Sequence, residues 1–134
     1  MELPIDLKNV IEQKLEEISV KNIQKDAENI SIKYRTESGK GKKLVTKETE
    51  ALAYSIVRMP ATYGAVYTVL KNTFEICNED ISSLLDVGAG TGAGTWAACE
   101  FFHFNNITCL EREDVMLNLG KSLMYESDNE EYKM

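Results

Sequence analysis

Apolar positions recur at helical spacing through the first half of the chain. Leu7, Val10, Ile11, Leu15 and Ile18 fall on one stripe while Lys8, Glu12, Glu16 and Glu17 lie off it, which predicts an amphipathic helix over residues 5–18. Ser19 to Asn22 reads as a break. A second helix is expected over residues 22–35, carrying Ile23, Ala27, Ile30 and Tyr34, although the β-branched Ile30 and Ile32 weaken its propensity. Thr46 is placed to cap a third helix, with Glu48 and Glu50 in the first turn and apolar residues running to Met59. Pro60 forces a boundary and suits the first turn of a fourth helix, Ala61 to Ile76. That helix is apolar enough to predict burial on more than one side.

The pattern then changes period. Ile81 to Val87 is a short apolar run bounded by polar residues, which predicts a buried strand. Gly88, Gly90, Gly92 and Gly94 follow at every second position, and Thr95 to Phe102 reads as a helix. Ile107 to Glu111 predicts a second strand parallel to the first. Val115, Met116, Leu117, Leu119, Leu123 and Met124 predict a final amphipathic helix, and the chain from Ser127 onward is polar and expected to be disordered. No internal repeat is visible.

A strand running into alternating glycines and then a helix is a nucleotide-type binding loop. Glycine lets the turn take positive φ and lets a ligand lie against bare backbone. The helix start supplies N–H groups and a positive dipole end. Two templates compete. Gly88-x-Gly90-x-x-Ala93 satisfies the dinucleotide fingerprint. Asp86-x-Gly88-x-Gly90-x-Gly92 satisfies the acidic glycine-rich pattern of S-adenosylmethionine (SAM) methyltransferases. Asp86 separates them, because a carboxylate at the strand tip favours the ammonium and sulfonium of SAM and repels a pyrophosphate. The remaining reading is a glycine-rich turn with no ligand. Glu111 supports a nucleotide, since it follows Gly88 by 23 residues, close to the spacing of an acid that bonds ribose hydroxyls. Its bland alternative is a solvated acid, with Glu113 and Asp114 beside it.

The fold class that follows is α/β: an N-terminal helical region over residues 1–80, then the first β-α-β-α portion of a Rossmann-like SAM-binding domain over residues 81–134. The sheet is incomplete, because folds of this kind carry several further strands. An exposed strand edge invites pairing between chains, so the expectation is a homodimer through that edge or compensation by the N-terminal helices. No catalytic base is named, because catalytic residues of such enzymes usually lie on later strands.

Composition narrows the partners. The chain has 134 residues and a net charge of −7. Residues 1–60 hold 11 Lys/Arg against 10 Asp/Glu, whereas residues 61–134 hold 4 against 12. An acidic second half argues against that surface gripping nucleic acid unaided. The most basic stretch, Lys40 to Lys47, can touch phosphate or RNA, although a solvated loop is the reading favoured here. No apolar run approaches a membrane span, and the N-terminus resembles neither a secretory signal nor an arginine-rich transit peptide. Cys77, Cys99 and Cys109 match neither a disulfide framework nor a zinc pattern, so no metal is expected and the expected location is the reducing cytoplasm. The lone His103 reads as a helix-end residue.

Three stretches carry a family resemblance. They are Ala53-Tyr54-x-x-x-Arg58-Met59-Pro60-Ala61-Thr62-Tyr63-x-Ala65, the loop Leu84 to Gly92 with Trp96-Ala97-Ala98, and Glu111-Arg112 followed by Met116-Leu117-x-Leu119-Gly120. Together they resemble the Rsm-twenty-two-type family of methyltransferase-like proteins associated with the small ribosomal subunit in bacteria and mitochondria. The resemblance runs from Ala51 to Met124, and Arg58 to Tyr63 is its most specific part. It implies a SAM-dependent methyltransferase fold acting on or beside small-subunit ribosomal RNA. The residues expected to contact SAM are Asp86, Gly88, Ala89, Gly90, Gly92, Glu111 and Arg112. The iron–sulfur cluster known in the family is not carried over, because these three cysteines do not match its ligands. Arg58 and Tyr63 either reach the ligand carboxylate or an RNA phosphate, or form a structural corner. Trp96 is expected to serve packing rather than adenine stacking. Two alternatives stand beside the enzyme: a non-catalytic ribosome-assembly or translation factor that keeps the pocket, and, more weakly, a dinucleotide-binding oxidoreductase fragment.

Overall fold

The computed structural model describes residues 2–18, 20–37, 39 and 44–127. Six helices and two strands follow in the order α1 (Ile5–Glu16), α2 (Val20–Thr36), α3 (Glu48–Val57), α4 (Met59–Ile76), β1 (Ser83–Val87), α5 (Ala93–Ala98), β2 (Asn106–Leu110) and α6 (Asp114–Glu126). Lys40 to Lys43 of the basic stretch, and the expected disorder beyond Ser127, fall outside the described residues.

One core joins the helical region to the β-α-β segment. Leu7, Val10 and Ile11 of α1 meet Leu52 of α3, Met59 and Tyr63 of α4, Ala93, Trp96 and Ala97 of α5, and Leu123 of α6. A second cluster gathers Ile30, Leu44, Val45, Ala51 and Met116 beneath the loop that follows β2. Burial of these side chains drives the assembly, at roughly 1.5–3 kcal/mol for each large apolar residue.

The strands pair in parallel, with Asp86 opposite Cys109 and Val87 opposite Leu110. Among the described residues the sheet has these two strands only. One face, carrying Asp86 and Cys109, meets Thr95 of α5. The other is uncovered: Leu85, Val87 and Leu110 are 60%, 71% and 51% exposed. The strand read as buried is therefore only half-buried on one face and exposed on the other. Continuous apolar strands suit a sheet covered on both sides, and α1 to α4 do not provide the second cover.

Several boundaries differ for physical reasons. The third helix begins at Glu48 with Lys47 as its cap, and Thr46 is not its N-cap. Instead the Glu50 carboxylate reaches back to accept from the Thr46 N–H at 3.4 Å and its hydroxyl at 3.2 Å. The second helix begins at Val20, so the expected break is shorter than four residues. The helix expected over residues 95–102 starts earlier, at Ala93 behind the left-handed Gly92, and ends at Ala98. Its last turn tightens, with Glu100 and Phe101 donating to carbonyls three residues back. Phe101 then packs on Tyr67 and Phe74, at ring-centroid distances of 4.9 and 5.7 Å. The expectation that α4 is buried on several sides is wrong. Only Met59 and Tyr63 are buried, while Val69 and Ile76 are 64% and 82% exposed.

Glu50 ties α2 to α3. Lys33 Nζ lies 2.8 Å from its Oε2. Burial pushes the Glu50 carboxyl upward, but the Lys33 contact and the Thr46 bonds outweigh it and hold the group below its ordinary value. A depressed carboxylate contributes stability above its unfolded pKa and loses it as pH falls through the folded one. Thermal melts across the acidic range are expected to show this loss, and Glu50→Gln is expected to flatten that part of the slope.

Candidate functional site

The cradle forms where β1 stops. Gly88, Gly90 and Gly92 have φ of 71°, 58° and 98°, a left-handed conformation that other residues adopt only with strain. This is why the glycines alternate. The turn folds over the tip of β2: the N–H groups of Gly88 and Ala89 both donate to the Leu110 carbonyl, at 2.8 and 3.0 Å. Gly120 of α6 backs the turn so closely that a Cβ there would lie 3.2 Å from the Thr91 carbonyl oxygen.

Glu111 stands one residue beyond β2 and closes the cradle. Its Oε2 accepts from the Gly90 N–H at 2.6 Å and its Oε1 from the Glu113 N–H at 3.1 Å. One carboxylate thus bridges the glycine turn and the loop after β2, with lone pairs left for a further donor. Glu113, for which the sequence suggests no role, is buried. Its Oε1 accepts from the backbone N–H of Leu44 at 2.8 Å and of Val45 at 3.4 Å, which docks the segment leading into α3 against the site.

These groups line a groove of about 340 Å³, walled by Tyr34, Leu44, Tyr54, Gly88, Gly90, Glu111, Arg112, Glu113 and Met116. The Tyr34 and Tyr54 rings lie 5.9 Å apart. Burial, the Tyr54 neighbour and the Glu113 and Glu111 charges push the Tyr34 hydroxyl up to about 12, against a smaller downward pull from Arg58. Tyr54 is raised chiefly by burial, with the Thr62 bond and Arg58 opposing and the same two acids adding to the rise. Both phenols are therefore neutral hydrogen-bonding groups at physiological pH. Tyr34 carries no local signature, and Tyr54, although it lies in a stretch that carries the resemblance, is not marked as a groove residue, because both reach the groove from helices far upstream. A larger hollow of about 550 Å³ lies between the start of β2 and α6, with Ala89, Gly90, Gly92, Leu117 and Met124 in its wall.

Asp86 is placed differently from Glu111. Its Oδ2 accepts from the Thr95 hydroxyl at 2.8 Å, and that hydroxyl lies 3.4 Å from Cys109 Sγ. The carboxylate faces the first turn of α5, and a Cβ at Gly94 would come 3.2 Å from it. Asp86 thus sits below the turn, on the α5 side, while Gly88, Gly90, Glu111 and Arg112 border the groove and Ala89 and Gly92 border the larger hollow. Burial pushes the Cys109 thiol up and Asp86 adds to the rise, while the Thr95 bond opposes it. Trp96 is 1% exposed and Tyr63 is 3% exposed within the core, so both serve packing. Arg58 caps α3 through its N–H to the Tyr54 carbonyl at 2.9 Å, and its guanidinium carbon lies 4.3 Å over the Tyr34 ring. It is at once a structural corner and a neighbour of the groove.

Fold and site together define a helix-rich α/β protein with a glycine-turn cradle at the carboxyl ends of two parallel strands, with Asp86 near the end of β1 and Glu111 just beyond β2. The family model of the mitochondrial small ribosomal subunit protein Rsm22 matches residues 48–134, from the start of α3 onward. The chain belongs to that family, which is associated with the small ribosomal subunit. No curated protein matches the chain. Among the described residues no helix is long and apolar enough to cross a membrane.

Proposed function

We propose that the chain carries the SAM-binding part of a SAM-dependent methyltransferase of Rossmann-like fold that acts on or beside small-subunit ribosomal RNA, with SAM held in the Glu111 groove. The supporting observation is the Glu111 clasp. A carboxylate beyond β2, touching the Gly90 N–H at 2.6 Å, sits where a ribose diol laid across the turn would find an acceptor. The donor set fits the ligand. The space beside Gly88 is open, with no atom within 4 Å of where a Cβ would stand, and Glu111 and Asp86 supply negative charge for a sulfonium and an ammonium. SAM would bring an electrophilic methyl group, and the chain's own residues would bind and orient it. Gly88 and Gly90 would present bare backbone, Glu111 would take the ribose, Arg112 would stand in the groove wall, and Asp86 would add its field from below the turn, while Ala89 and Gly92 would shape the turn from the side of the larger hollow.

Family membership favours a second reading, a non-catalytic assembly or translation factor that keeps the pocket. A dinucleotide remains the weaker alternative, because Glu111 would stand beside a pyrophosphate laid on the Gly90 turn. Cys77, Cys99 and Cys109 are free thiols. Incubating the protein with labelled SAM and small-subunit particles separates the readings. Label transferred to ribosomal RNA supports the enzyme, co-sedimentation without transfer supports the factor, and neither result would refute both.

A further inference from the structure

Arg58 is a half-buried guanidinium at the α3–α4 junction. Among the described residues no hydrogen bond or ion pair from its guanidinium to a carboxylate is present, and its close partner is the neutral Tyr34 ring at 4.3 Å. Tyr34 and Tyr54 both line the Glu111 groove, and both feel the charges of Arg58, Glu111 and Glu113. The cation therefore shares the neighbourhood of the groove. The groove's acids are already engaged: Glu111 holds the Gly90 and Glu113 N–H groups, and Glu113 holds those of Leu44 and Val45. An arginine stacked on an aromatic face keeps its planar fork ordered and ready for a bidentate acceptor.

A zwitterionic ligand needs charge of both signs: Glu111 and Asp86 supply the negative one, and the cations at hand are Arg112 in the groove wall and Arg58 stacked on Tyr34. We propose that Arg58, held by the Tyr34 ring, receives the amino-acid carboxylate of the adenosyl ligand, so that the helical region supplies the positive end of the pocket. This inference rests on the proposed SAM site. A carboxylate is favoured over an RNA phosphate because Arg58 is a partly buried residue stacked on Tyr34 of the groove's aromatic wall rather than one cation of an open basic surface.

Titration calorimetry with two ligands tests it. S-adenosylhomocysteine carries the carboxylate, whereas methylthioadenosine keeps base and ribose but lacks the amino-acid portion. Arg58→Ala is expected to weaken S-adenosylhomocysteine about ten- to a hundredfold, the range of a charge-assisted bond, and to leave methylthioadenosine within about twofold of wild type. Arg58→Lys, which keeps the charge without the fork, is expected to fall between. Equal losses for both ligands would show a folding role only, and no loss for either would place the carboxylate elsewhere. A loss confined to ribosomal RNA binding would assign Arg58 to phosphate. Each of these three results overturns the inference while leaving the SAM site standing. Binding of neither ligand by the wild-type protein overturns the site and the inference together. Thermal melts of the ligand-free variants check that the Arg58 substitutions fold.

Discussion

Trp96→Ala is expected to remove about 3–5 kcal/mol of stability, the cost of truncating a large core aromatic. Trp96 is 1% exposed and belongs to the cluster that joins α1, α3, α4, α5 and α6. Its ring lies beside the glycine turn, with Cδ1 3.6 Å from where a Gly92 Cβ would stand. Single domains of this size have roughly 5–15 kcal/mol in total, so the variant is expected to lose much of its cooperative transition. Denaturant unfolding followed by circular dichroism would read the shift. Trp96→Phe, which keeps most of the buried area, should recover part of it. A loss below about 1 kcal/mol would mean that helices and cradle do not share one core.

Glu111→Ala is expected to lower SAM affinity about ten- to a hundredfold, because a ligand hydroxyl loses a charged acceptor. The same change leaves the Gly90 and Glu113 N–H groups without their carboxylate, at about 1–3 kcal/mol for each if water does not replace it. Glu111→Gln separates the two effects, since its amide oxygen can still accept from one N–H while the charge is gone. Calorimetry is expected to show weakened SAM binding in both variants, with the larger loss of stability in alanine. Unchanged affinity in both would remove Glu111 from the ligand site.

Much of the cradle was legible because its determinants are local. Alternating glycines announce a turn that needs positive φ, and Gly88, Gly90 and Gly92 adopt it. The spacing from Gly88 to Glu111 follows from one β-α-β crossover, and the acid does stand beside the turn. The order of helices and strands was legible for the same reason, since each apolar stripe marks its own element. What stayed hidden depends on distant contacts. Glu113 reads as one more acid in a charged run until Leu44 and Val45 turn their N–H groups onto it. Tyr34 and Tyr54 look like ordinary helix residues until α2 and α3 bring their rings together at the groove. The apolar second half of α4 suggested deep burial, yet hydrophobicity alone does not supply a partner surface, and Val69 and Ile76 remain exposed. Asp86 was placed at the correct strand tip, but alternation along β1 turns its side chain toward Thr95, away from the groove Glu111 borders.

If two parallel strands, a positive-φ glycine turn and the Glu111 clasp form an adenosyl-ligand site, titration of the wild-type protein with SAM, with NADH alongside, is expected to give saturable one-to-one binding of SAM, displaced by S-adenosylhomocysteine, and weaker or no binding of NADH. Absence of SAM binding, or preference for NADH, would contradict such a site.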